Sequence, residues 1–137
     1  VRMENGCKGT IRSTQIATGL ENNLNVSVYG SKGSLSWEQE NPNYLYHYTS
    51  DKPLQVLKPG HLYNTDLSLD GTKLPAGHPE GIFDAMGNIY RGVARAIRGE
   101  KNEKGEFPTI DEGVRGMDFI EKAVKSNEKG NIWLELD

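Results

Sequence analysis

Cys7 is the single cysteine in 137 residues. One thiol cannot close an internal disulfide, so the expected compartment is the reducing cytoplasm, with the periplasm as the alternative. Long apolar runs are also missing. No stretch approaches the ~20 apolar residues of a helical membrane span, and residues 1–20 hold no apolar signal-peptide core. An excess of positive charge is missing too: 16 Lys and Arg against 19 Asp and Glu leave a net charge of −3. With no basic stripe interleaved with aromatics, no nucleic-acid partner is expected. Three scattered histidines and one cysteine give no convergent ligand set, so no metal site is expected. What remains, 35% hydrophobic and 26% charged residues, suits one globular domain spanning 1–137 and long enough to bury a core.

Residues 1–60 read as strands. Leu24, Val26 and Val28 alternate with polar residues, and Leu35 and Trp37 repeat the pattern. Gly9 to Thr18 is a further extended run with Ile11 and Ile16 on opposite faces. Tyr44, Tyr46 and Tyr48 form a stripe on one face, and Leu54 to Leu57 is a short strand closed by Pro59-Gly60. Asn5-Gly6, Gly19 to Asn23, Gly30 to Gly33 and Asn41-Pro42-Asn43 supply turns, so successive strands are antiparallel neighbours. Residues 61–77 read as a loop. One helix is predicted from about Pro79 to Arg98, ended by Gly99, and another from about Asp111, as N-cap, to Asn127. Ile132 to Leu136 alternates as a final strand. The predicted class is α+β: a largely antiparallel open sheet with two helices packed on one face.

The stretch Gly30-Ser31-Lys32-Gly33-Ser34 has the ingredients of a phosphate cradle. A Walker loop, however, needs its lysine after the second glycine and a helix next, whose N-terminus receives the phosphate. Here the lysine comes earlier and a strand follows. A hairpin turn is the better reading, with glycines accepting positive φ.

The phrase Tyr29-Gly30-Ser31-Lys32-Gly33-Ser34-Leu35 resembles the G-x-K-G-x-L hairpin in the C-terminal domain of the Gfo/Idh/MocA oxidoreductases, the family of glucose–fructose oxidoreductase and inositol dehydrogenase. Gly9-Thr10-Ile11 to Gly19, Trp37 to Asn43, Gly77-His78-Pro79-Glu80-Gly81, Asn88-Ile89-Tyr90, Pro108-Thr109 to Gly116 and Ser126 to Leu134 follow in the family's order over nearly the whole chain. The family's dinucleotide-binding G-x-G-x-x-G, its Glu-Lys-Pro and its Asp-x-x-x-His pair are absent. The resemblance therefore implies the later part of a second domain, inactive alone and binding no cofactor itself. The full-length parent would use NAD or NADP to oxidise or reduce a sugar, cyclitol or polyol hydroxyl. A free-standing binding or scaffold domain is the alternative. An unrelated enzyme using His78, Glu80 and Asp84 as acid–base groups is a third reading.

No catalytic residue is assigned. The resemblance places His78 near the substrate, where it could bond a hydroxyl; the alternative is a capping histidine that meets water. Glu80 is a second substrate-binding candidate, or a carboxylate favoured by a helix dipole. Tyr44, Tyr46, Tyr48 and Trp37 are interface candidates, since tyrosine tolerates half-burial and the resembling enzymes assemble through the open sheet face; the alternative for the tyrosine stripe is a sugar-stacking platform. The implied partners are a small sugar or polyol and further copies of the chain. Arg91, Arg95 and Arg98 share one helix side and read as a solvated face. Cys7 beside Lys8 has no readable histidine partner, so it is not assigned as a nucleophile.

Overall fold

Four short strands form an antiparallel meander: β1 Asn25–Tyr29, β2 Ser34–Glu38, β3 Leu45–Thr49 and β4 Lys52–Leu57, hydrogen-bonded in that order. The computed structural model describes residues 1–101 and 105–136. These fall into two compact units, Val1–Lys58 and Pro59–Asp137. The first holds the sheet. The second holds three helices: α1 Asp66–Gly71, α2 Ile82–Ile97 and α3 Ile110–Glu128. The class is α+β with an open antiparallel sheet, as the sequence indicates, but with three helices where two are predicted.

Register follows the alternation. Val26 pairs with Trp37 and Trp37 with Leu45; Val28 pairs with Leu35 and Leu35 with His47. Directly opposed residues share a face, so these side chains form one apolar surface of the sheet. The other face carries Ser27 opposite Ser36, Ser36 opposite Tyr46, and Tyr29 and Tyr48 on either side of Ser34. The two serine hydroxyls lie 3.0 Å apart. A register shift between His47 and Thr49 marks an irregularity beside β4.

The β1–β2 connection is a hairpin, closed by the Gly30 N–H donating to the Gly33 carbonyl at 2.9 Å. Its glycines are not needed for positive φ, contrary to the sequence reading, since neither adopts it. Gly33 is required for a different reason. A Cβ there would sit 2.5 Å from the Tyr48 carbonyl oxygen, on the backbone of β3.

Two sequence expectations fail for one physical reason: a strand exists only where a neighbour accepts its hydrogen bonds. Gly9 to Thr18 joins no ladder. Within it the Ile16 N–H turns back to the Thr14 hydroxyl at 3.3 Å, the local bonding that draws Thr and Ser away from sheets. The preceding residues close on themselves about Asn5-Gly6, with an isolated Arg2–Lys8 bridge. Ile132 to Leu136 also joins no ladder among the described residues. The loop expected over 61–77 contains α1, whose N-cap Thr65 accepts from the Ser68 N–H at 3.3 Å.

Helix boundaries are set by caps. At α2, the Gly81 N–H donates to the Asp84 carboxylate at 2.9 Å, so the helix starts at Ile82, three residues past Pro79. At α3, the N-cap is Thr109 rather than Asp111. Its N–H donates to Glu112 Oε2 at 2.6 Å and its hydroxyl does so at 3.1 Å. Both bonds stabilise the charged carboxylate and hold the Glu112 pKa below the usual range. Among the described residues, Gly92 alone is buried and no large apolar side chain is, so the core expected from chain length is not closed within it.

Candidate functional site

The sequence candidates His78 and Glu80 lie on the connection from α1 to α2, residues 72–81. Gly77 takes φ 89°, a left-handed value that suits glycine. It lets the chain turn so that the His78 N–H reaches the Pro75 carbonyl at 3.1 Å. The His78 ring returns to the same carbonyl, with Nδ1 3.1 Å away. A carbonyl oxygen only accepts, so Nδ1 carries the proton in this contact. In the neutral ring, Nε2 is then an acceptor, on an exposed side chain. An imidazole held this way can take a hydrogen bond from a substrate hydroxyl.

Glu80 has a different place. Its Oε1 accepts from the backbone N–H groups of both Lys73 and Leu74 at 2.5 Å. It therefore ties the far end of the loop to its start. Asp84 is committed to the Gly81 N–H. His78 thus bonds the Pro75 carbonyl, Glu80 the Lys73 and Leu74 N–H groups, and Asp84 the Gly81 N–H.

Beneath the loop lies a charged network that the sequence reading passed over. Arg91 donates through Nη1 to the Asp70 carbonyl and through Nη2 to the Asp70 carboxylate, both at 3.0 Å. Arg91 Nη2 also lies 3.3 Å from Glu106 Oε1, and Arg95 Nη1 lies 3.1 Å from the same oxygen. The Glu106 side chain is 10% exposed, so it is the most enclosed member. Arg95 also pairs with Glu100 at 2.6 Å, and that contact leads the causes that raise its pKa. Asn88 Nδ2 donates to the Gly71 carbonyl at 2.7 Å. Arg91 and Arg95 are thus fixed ion-pair partners, not a solvated face. Gly92, between them, is essential to this packing: a Cβ there would fall 2.7 Å from Glu106 Cβ and 3.0 Å from the Phe107 ring.

The interface candidates divide. Tyr46 and Tyr48 share the serine face, while Trp37, paired with Leu45, lies on the opposite apolar face. Tyr44 precedes β3, with Lys58 Nζ 5.4 Å from its ring centroid. The Trp37 indole N–H donates to the Pro42 carbonyl at 3.0 Å. The four residues therefore do not make one patch. His47 bonds Gln55 at 3.1 Å across β3 and β4, and His61 stacks on Tyr63 with centroids 5.0 Å apart. Among the described residues no three His, Cys, Asp or Glu side chains are grouped to hold a metal ion. Nor is any helix among them long and apolar enough to cross a membrane.

This order of strands and helices is that of a known domain. The profile of the oxidoreductase family, C-terminal alpha/beta domain, of Gfo/Idh/MocA type, matches residues 1–136. The chain belongs to the Gfo/Idh/MocA oxidoreductase family. It is 34% identical over 139 residues to an uncharacterized oxidoreductase, YfiI, of Bacillus subtilis (strain 168), covering 97% of this chain and 35% of that protein. Its fold is similar to an inositol dehydrogenase homolog from Azotobacter vinelandii complexed with NAD+, with a TM-score of 0.87 and 31% identity, covering 98% of this chain and 36% of that one. An inositol dehydrogenase homolog from the same organism, complexed with NADH and myo-inositol, gives a TM-score of 0.79 and 30% identity over 98% of this chain and 37% of its own. The chain thus spans about a third of the length of these relatives.

Proposed function

We propose that this chain is the substrate-side and assembly portion of an NAD(P)-dependent oxidoreductase that acts on a hydroxyl carbon of a cyclitol, sugar or related polyol. The observation that carries the reading is the near-complete match of this chain to about a third of a dehydrogenase homolog that holds NADH and myo-inositol. The nicotinamide supplies hydride exchange with the hydroxyl carbon. His78 binds a hydroxyl of the polyol through Nε2, and Glu80 keeps the loop that carries His78 closed. The proton-transfer groups and the dinucleotide cradle lie outside residues 1–137, so the isolated chain is inactive and holds no cofactor. We assign the open serine and tyrosine face, with Tyr46 and Tyr48, to contact between copies of the protein; tyrosine suits a half-wet interface. A reducing compartment, the cytoplasm, fits the lone Cys7.

The test is the full-length gene product, purified and assayed for nicotinamide reduction with NAD+ and NADP+ against myo-inositol, other cyclitols, aldoses and linear polyols. Turnover of at least one of these by the full-length protein, and none by residues 1–137, is the expected result. A well-folded full-length protein that reduces neither nicotinamide with any of them would overturn the reading. His78→Gln is expected to raise KM for the polyol about tenfold, the scale of one lost hydrogen bond.

A further inference from the structure

We infer that Arg91 and Asn88 are positioning residues: they clamp the end of α1 onto α2 and thereby set where His78 stands. The inference rests on the substrate-binding reading of His78 and adds the elements that hold it. Helix α1 has six residues, too few to be stable alone. Its terminal carbonyls are met from outside the helix: the Asp70 carbonyl by Arg91 Nη1 at 3.0 Å and the Gly71 carbonyl by Asn88 Nδ2 at 2.7 Å. Lys73 Nζ also donates to the Asp70 carbonyl. Cations at this end oppose the negative pole of the helix. Arg91 and Asn88 lie three residues apart on α2, hence on one side of it.

The loop that follows has little freedom left. It leaves α1 at the clamp and re-enters α2 at Gly81, the N-cap. Glu80 spans its two ends through the Lys73 and Leu74 N–H groups. Its middle lies against Gly60, where a Cβ would come 3.0 Å from the Ala76 nitrogen. His78 is bonded to Pro75 within that closed loop. A shift of α1 relative to α2 would therefore move the imidazole. Glu106 Oε1 lies 3.3 Å from Arg91 Nη2, the nitrogen that also meets the Asp70 carboxylate, and this second acceptor helps hold the guanidinium in place. A lysine can carry the charge but cannot bond the Asp70 carbonyl and carboxylate in the same two-pronged way.

The experiment uses Arg91→Lys, Asp70→Asn and His78→Gln in the full-length protein, with myo-inositol as the probe polyol and hydrogen–deuterium exchange of residues 72–81 as a second readout. Arg91→Lys and Asp70→Asn are each expected to speed exchange of those amides and to raise KM for myo-inositol about tenfold. Less than a twofold change is expected in kcat and in KM for the nicotinamide, and the double variant should be no worse than either alone. A merely structural role would instead lower the melting temperature and the active fraction and leave KM in place. Unchanged exchange overturns the clamp even if His78→Gln raises KM, and the His78 reading then stands without it. Faster exchange with KM unmoved in the clamp variants overturns positioning. If KM is also unmoved in His78→Gln, the substrate role of His78 falls as well. Should Arg91→Lys fail to fold, Asp70→Asn decides, because it leaves the Arg91–Glu106 pair intact.

Discussion

Glu112 closes the first turn of α3 by accepting from the Thr109 N–H and hydroxyl, and the consequence is a pH dependence of known sign. Its folded-state pKa lies below the unfolded value, so the cap contributes fully above the ordinary glutamate range. As pH falls through that range the unfolded chain takes the proton first, and the contribution is lost as pH approaches the depressed folded value. Far-UV circular dichroism should show acid loss of helix with a flatter pH response in Glu112→Gln than in the parent; identical acid limbs would contradict it. Individual residues were unevenly legible. His78 could be singled out because Gly77-His78-Pro79 precedes a helical pattern. Asp70 and Glu106 could not, since they meet Arg91 from 21 and 15 residues away and no local pattern encodes that meeting. Three arginines at helical spacing look alike whether they face water or carboxylates.

The close approach at Gly92 gives α2 a test as an element. Gly92→Ala should destabilise the protein by about 1–3 kcal/mol, the usual scale of overpacking, even though alanine is the better helix former. The obstructing atoms belong to Glu106 Cβ and Phe107, not to a flexible tip that can swing away. A lowered urea midpoint is the expected measurement; a raised one would mean that helix propensity outweighs the contact. The four strands were legible because apolar alternation and turn residues agree over 24–57. The segments 9–18 and 132–136 carry similar alternation, yet no partner strand takes up their hydrogen bonds. Helix α1 escaped because six residues show no period. Thr65, three positions before the Ser68 N–H that it caps, was the available signal.

Taken whole, the chain leaves its apolar stripes open. Val114, Met117, Ile120 and Val124 of α3 are each more than half exposed, and Ile82, Phe83 and Ile97 of α2 are more so. Burying one such side chain stabilises by about 1.5–3 kcal/mol, so these faces favour any apolar cover. Residues 1–137 expressed alone should bind a hydrophobic dye such as ANS and unfold over a broad range, whereas the full-length protein should bind little and unfold sharply. Weak dye binding by the isolated chain would show that its own faces suffice. Composition and length announced a core but not where it closes, because an amphipathic period reports that a face is apolar and not what lies against it.

The strand order β1-β2-β3-β4 has a further bearing, on synthesis. Each ladder joins strands adjacent in sequence, so each pairing partner leaves the ribosome within a few residues of the last. Among the described residues no strand waits for a distant segment, and loop closure is cheap at each of these ladders. The meander can therefore zip from its N-terminal edge as it emerges. The contacts of Asn88 and Arg91 with the end of α1 span 17 and 21 residues, so they must wait for α2 to emerge.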